Sequence, residues 1–157
     1  MTRLYGRAPR GQRVIGSTPQ NYGERLTVLA ALDRQGIRAA LAVDGPTDGP
    51  VFLTFLQRVL GPRLRPGEVV VLDNLRAHSV PGVAEAFEAV GASPRYLPPY
   101  SPDYNPIELA WSKGKALLRA RAARTRTRLY RALGAALQTV TAQNARAWFR
   151  HCGYGSH

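Results

Sequence analysis

The run Val69-Val70-Val71-Leu72 constrains this chain more than any other stretch. Three successive β-branched residues and a leucine fit neither an amphipathic helix nor the alternation of a half-exposed strand; they have the character of a strand buried on both faces. Such strands belong to α/β folds, in which helices cover both sides of the sheet. The run ends in Asp73-Asn74, and the carboxyl end of a strand is where open α/β sheets place ligand-binding groups. Asp73 is therefore either a carboxylate positioned for chemistry or the opening residue of a plain turn.

The flanking pattern supports a mixed α/β chain. Arg25 to Val43 contains two apolar stretches separated by Asp33-Arg34-Gln35-Gly36, which predicts a hairpin, and Gln12 to Ser17 is a candidate short strand. After the turn-rich segment Asp44 to Pro50, the residues Phe52, Phe55, Leu56, Val59 and Leu60 fall at helical spacing, with Gly61-Pro62 expected to stop the helix. Pro81 is placed to start a helix whose Val83, Phe87 and Val90 share a face, and Gly91 to end it. A strand is expected at Arg95-Tyr96-Leu97 and a loop from Pro98 to Pro106. Helices are expected from Pro106 to about Ala122, with Trp111, Leu117 and Leu118 in the core, and from about Thr127 to Val140, with Leu129, Leu133 and Leu137 inward. With 157 residues the chain fits one domain. No internal repeat or linker divides it.

Charge is unevenly placed. The net charge is +12, yet residues 24 to 108 hold all ten acids and only eight basic residues. The first 23 residues carry four arginines and no acid, and ten basic residues follow Glu108 with no acid among them. Two cationic ends around a nearly neutral centre point to a polyanionic partner, of which nucleic acid is the commonest. Lys113, Lys115, Arg119, Arg121, Arg124, Arg126 and Arg128 form the densest cluster, suited either to phosphate contacts or to a solvated surface. The apolar runs are far too short to cross a bilayer, so no membrane role is expected. The single cysteine, Cys152, has no intramolecular partner for a disulfide, and no secretory signal pattern opens the chain; a reducing, cytoplasmic location follows. His151 and Cys152 have no further ligand at zinc-site spacing and suit packing instead.

Glu108 has two readings. In Asn105-Pro106-Ile107-Glu108 the asparagine suits the N-cap of a helix, the proline its first position and the glutamate the third, where a capping box uses it. A carboxylate fixed there can also project toward a metal ion.

The strings VVVLDNLRAH and YLPPYSPDYNPIELAWSKGK, taken together, closely resemble the mariner superfamily of DDE transposases, specifically its bacterial insertion-sequence branch, the insertion sequence six-thirty family. The segments MTRLYGRAPRGQRV and WFRHCGY are also similar to their counterparts there, so the resemblance covers nearly the whole chain. It implies a ribonuclease H-like mixed sheet flanked by helices, and a transposase that cuts and joins DNA at its element ends and target. The family's second acid, which ends a strand and precedes an Asn and then a His, matches Asp73, with Asn74 and His78 as supporting residues. The Asn-Pro-x-Glu acid matches Glu108, and the 34 intervening residues agree with the family spacing. Asp73 and Glu108 are thereby implied to be catalytic metal ligands. In-line displacement at phosphorus uses a pair of Mg²⁺ ions, with Mn²⁺ as a substitute, held by convergent carboxylates.

The resemblance also implies an absence. The family's first acid ends the opening strand of the sheet, before the segment that matches Met1 to Val14. No acid precedes Glu24, which follows Tyr22-Gly23 in an expected loop, while Asp33, Asp44 and Asp48 lie in turns. The expectation is a catalytic domain over residues 1–157 lacking its first strand, its first acid and any helix-turn-helix region, and inactive alone. The alternative is a silent DNA-binding remnant or regulatory fragment that associates with full-length transposase or as a homodimer, located at the nucleoid.

Overall fold

The computed structural model describes residues 5–15 and 26–155. An antiparallel hairpin comes first among the described elements, with β1 at Leu26–Asp33 and β2 at Gly36–Asp44. Its turn is fixed locally: the Asp33 carboxylate accepts from the Gln35 N–H at 2.7 Å, and Gly36 takes a positive φ of 129°. A side chain at Gly36 would also meet the Val140 carbonyl oxygen at 2.8 Å, so glycine lets the turn dock on the chain after the fourth helix. Of the expected strand at Gln12 to Ser17, residues 12–15 have no regular structure, and the rest lies outside the described residues.

Helix α1 spans Gly49–Phe55, with the Asp48 side chain as N-cap on the Val51 N–H at 3.0 Å. Gly61-Pro62 does not stop this segment as expected. The backbone widens into a π turn at Leu56–Leu60 and then tightens into a 3-10 turn at Gly61–Arg63. Glycine makes this path accessible, because a Cβ at position 61 would stand 2.7 Å from the Leu56 carbonyl oxygen. Strand β3, Val69–Leu72, pairs in parallel with β4, Ser93–Tyr96, through the helix α2, Val83–Glu88. Gly91, at φ 70°, turns the chain back toward the sheet as expected.

Helices α3 (Pro106–Arg121), α4 (Arg126–Gln138) and α5 (Ala142–His151) follow. The last was missed in the sequence pattern, although Thr141 and Asn144 form a complete capping box and Ala145, Trp148, Phe149 and Cys152 recur at helical spacing. Trp111, Leu117 and Leu118 are only half-buried; the tight contact of α3 is made by Ala110 instead.

The principal core lies on one side of the sheets. Phe52, Phe55, Leu56, Leu60, Val83 and Phe87 are buried there, and Leu29, Ala31 and Leu41 of the hairpin pack against them. Because strand residues alternate, Val28, Ala30 and Leu32 turn to the other side, where α3 packs on β1 and α5 on β2. That side is packed with small residues, Ala110, Ala132, Ala136 and Ala145. The result is a three-layer α/β/α arrangement.

The sheet itself is divided. Among the described residues β1 bonds only to β2, and β3 only to β4. β3 is correspondingly less enclosed than its apolar sequence predicts: Leu72 is buried, but Val69 is 58% exposed. The chemistry of the run asks for neighbours on both sides, and one side opens on a cavity.

Candidate active site

Asp73 directly follows β3, at the carboxyl end of the β3–β4 pair. The chain then makes an Asx-type turn, with the Leu75 N–H donating to Asp73 Oδ1 at 3.3 Å, and a 3-10 turn at Arg76–Ser79. This short path returns the His78 ring to the acid, its Nδ1 2.6 Å from Asp73 Oδ1. His78 is held from two further directions. Its ring packs tilted by 42° against Phe52, centroids 4.2 Å apart, and the Tyr96 hydroxyl donates to its backbone carbonyl at 2.8 Å. Both side-chain bonds of Asp73 fall on Oδ1, leaving Oδ2 without a partner among the described residues. His78 thus orients the carboxylate through one oxygen.

Glu108 arrives on a different support. Asn105 is extended and precedes Pro106, the buried first residue of α3, and the Glu108 N–H donates to the Asn105 carbonyl at 3.1 Å. The expected capping box is not formed, since the Asn105 side chain caps nothing and no bond to the Glu108 carboxylate is made among the described residues. Its carboxylate is exposed and uncommitted. The proline-rich loop before it is fastened by Tyr154, whose hydroxyl donates to the Tyr104 carbonyl at 2.8 Å and whose ring packs edge-on to Phe149 at 5.7 Å. Burial raises the Tyr154 hydroxyl above its ordinary pKa, which keeps it a donor.

Asp73, His78, Asn105 and Glu108 border one cavity of about 400 Å³. Asn74 is exposed beside them. The three other aspartates considered from sequence are all in use. Asp33 receives the Gln35 N–H and lies 3.9 Å from Arg38, Asp48 caps α1, and Asp44 binds Arg126 and the Tyr130 hydroxyl. Among the described residues no group of three His, Cys, Asp or Glu side chains is arranged to hold a metal ion.

The basic cluster divides by partner. Lys113 donates from Nζ to the Thr139 carbonyl and to Asn144 Oδ1, each at 2.6 Å, and so ties α3 to the end of α4 and the start of α5. Arg126 is paired with Asp44 and sits over the Tyr130 ring at 5.9 Å. Lys115, Arg121, Arg124 and Arg128 are exposed and Arg119 is half-buried. Cys152 is buried, and burial raises its thiol pKa, consistent with packing; His151 beside it is exposed. No described helix is long and apolar enough to cross a membrane.

Asp73 thus follows β3 and Glu108 lies in the first turn of α3, with helices on both sides of the sheets. Residues 1–130 match the model of the family described as DDE superfamily endonuclease, and the chain belongs to that family. No curated protein sequence matches it. Among solved structures it is similar to a pre-cleavage Mos1 transpososome, at 16% identity and a TM-score of 0.69 over 97% of this chain and 47% of that one. It is likewise similar to the Mos1 strand transfer complex, at 18% identity and a TM-score of 0.67, covering 97% of this chain and 46% of that one. A Mos1 mariner paired-end complex with Mn matches at 13% identity and a TM-score of 0.64, with 97% and 47% covered. The chain spans about half the length of these solved chains. The likeness establishes the ribonuclease H-like α/β fold expected from the sequence.

Proposed function

We propose that this chain forms part of the catalytic core of a DNA transposase of the bacterial insertion-sequence branch, acting on element ends and target DNA through two divalent cations. The observation that supports this reading is that Asp73 and Glu108, with 34 residues between them in sequence, border one cavity. Both offer hard oxygen donors free of arginine and lysine side chains among the described residues, which suits Mg²⁺ or Mn²⁺ in chemistry. Bound ions of this kind activate the attacking oxygen and stabilise the departing one in phosphodiester cleavage and strand transfer. Asp73 Oδ2 and Glu108 would hold them, His78 fixes the Asp73 carboxylate, and Tyr154 anchors the loop that delivers Glu108. Lys115, Arg119, Arg121 and Arg128 supply phosphate contacts; Lys113 and Arg126 serve first in internal bonds.

The donor set fits in kind and falls short in number. With Asp33, Asp44 and Asp48 otherwise engaged and Glu24 outside the described residues, two of the candidate acids remain uncommitted among the described residues, and this favours a second reading in which residues 1–157 alone bind DNA without cutting it. The two readings separate on one experiment. Residues 1–157 should bind duplex DNA with affinity that falls steeply with salt, bind Mn²⁺ weakly, and leave element-end DNA intact. Joined to an upstream strand ending in Asp and a DNA-recognition region, the same residues should nick element ends, and Asp73→Asn or Glu108→Gln should abolish nicking with DNA binding kept. Metal-dependent cleavage by residues 1–157 alone, lost on Asp73→Asn, would overturn the shortfall; a complete joined protein that never nicks would overturn the transposase reading.

A further inference from the structure

The proline-rich loop between β4 and α3 leaves the sheet at the end where Asp73 lies. The Leu97 N–H donates to the Leu72 carbonyl at 2.8 Å, one residue before the acid, and the Tyr96 hydroxyl ties β4 to the turn that follows Asp73. Residues 98–105 then run from that end to Glu108, and Tyr100 stands among them with its side chain fully exposed, at 103%.

The backbone of Tyr100 is in the left-handed region, at φ 57°, which a bulky residue rarely adopts. Ala122, the other non-glycine residue with positive φ among those described, closes α3, its N–H donating to the Leu118 and Arg119 carbonyls. Tyr100 makes no such bond among the described residues. Glycine or asparagine would suit this backbone with less strain, and the exposed ring contributes no packing in exchange. Its mount is stiff. Pro99 and Pro102 restrict the backbone on either side, the Ser101 hydroxyl donates to the Pro99 carbonyl at 3.2 Å across Tyr100, and Tyr154 fastens the far end of the loop. A side chain presented in this way loses little freedom when it binds.

We propose that Tyr100 is a stacking platform for the terminal base of a cut DNA strand, holding that end beside Asp73 and Glu108. This rests on the reading of the chain as part of a DNA-cutting protein.

An open aromatic face takes a flat apolar partner, and a nucleobase is one that serves in any sequence, because every base has a π-face. Charge favours it over a protein surface. Arg76, on the turn after Asp73, and Arg95, on β4, are exposed and in no ion pair among the described residues, so flanking phosphates can meet them. Within an intact duplex only base edges reach a side chain, and opening a pair costs about as much as one stacked ring returns. A strand end offers the outer face of its base without that cost, and cutting a phosphodiester beside the two acids creates such an end.

The test uses residues 1–157 and short blunt duplexes carrying iodouracil either as the terminal base or at the centre. Ultraviolet light joins iodouracil to an aromatic ring stacked on it. The terminal probe should therefore crosslink to Tyr100, located by peptide mass spectrometry, and the central probe should not. In competition against a fluorescent duplex, plasmid cut to short blunt fragments should compete about fivefold or more better than the same mass of relaxed closed circles, the scale of one base–aromatic stack. Tyr100→Asn, which suits the positive φ, should remove the crosslink and the preference, keep the affinity for closed circles and melt no lower than wild type. Tyr100→Trp should retain crosslink and preference. Equal competition, a crosslink at another residue or a preference that survives Tyr100→Asn overturns the stacking role and leaves the DNA reading standing. If neither form of plasmid binds, the DNA reading falls and takes this inference with it. A lower melting temperature for Tyr100→Asn gives the ring a structural role, and a dimer in sedimentation that Tyr100→Asn dissociates gives it a second copy as partner; either result goes against the proposal.

Discussion

The two ends of the cavity between β1 and β3 are built on opposite plans. At one end Arg38 lies between Asp33 and Glu68 and also donates to the Arg63 carbonyl, so one guanidinium ties the hairpin turn to the segments flanking β3. At the other end no arginine or lysine among the described residues pairs with Asp73 or Glu108; a histidine aligns the first acid and the second is left to solvent. Charges compensated within the protein hold it together, whereas carboxylates left without a basic partner are the ones proposed above to take a cation from outside. The difference separates a fastening from a proposed binding site along a single pair of strands.

The largest way to break the comparison lies beneath the acidic end. Phe52 is 3% exposed and carries the His78 ring, so Phe52→Ala should lower the free energy of unfolding by about 3–5 kcal/mol in urea titrations. A loss below about 1 kcal/mol would mean that the core does not continue under Asp73.

Arg38→Ala tests the fastened end and should cost about 1 kcal/mol, the scale of a partly exposed ion-pair cluster. Its signature is in the pH dependence. The Arg38 hydrogen bond, supported by the Arg65 N–H, outweighs partial burial and holds the Glu68 carboxyl below its ordinary 4.5. A folded pKa lowered in this way adds stability that is fully present above 4.5 and is lost as pH falls through the lowered value. Wild-type stability should therefore decline over that acid range, and Arg38→Ala should decline less.

The smallest effects are expected at the uncommitted acid. Glu108→Gln should change stability by no more than about 0.5 kcal/mol, because no bond to its carboxylate is lost. Asn105→Ala should likewise cost less than the usual ~1 kcal/mol of an N-cap, while Thr141→Ala, which removes a complete capping box, should reach that value. A large loss in Glu108→Gln would restore the capping role that the structure does not give it.

Much of the fold was legible because its signals are local. The hairpin turn at Asp33 to Gly36, the strand before Asp73, the stop at Gly91 and the start of α3 at Pro106 each follow from residue types within a few positions. The segment after Leu60 was misread because Gly61-Pro62 breaks an α-helix but accommodates a π turn followed by a 3-10 turn. α5 was overlooked because alanines and a lone Trp-Phe pair make a faint apolar stripe, one that becomes a buried face only when α3 lies against it. Lys113 and Arg126 look like phosphate ligands in sequence, since a cation's internal partners, 26 or more residues away, leave no local trace.

By itself the sequence determined the class of fold and singled out two candidate acids at a given spacing, because strand periodicity, helix caps and the Asp-Asn and Asn-Pro-x-Glu strings are written in neighbouring residues. Only the tertiary structure decided that His78 grips one oxygen of Asp73, that Arg38 locks the far end, and that, among the described residues, the Glu108 carboxylate has no partner and β1 does not pair with β3. Those depend on which groups meet after distant segments pack, and hydrogen bonds, ion pairs and unpaired strand edges are properties of that meeting rather than of any stretch of chain.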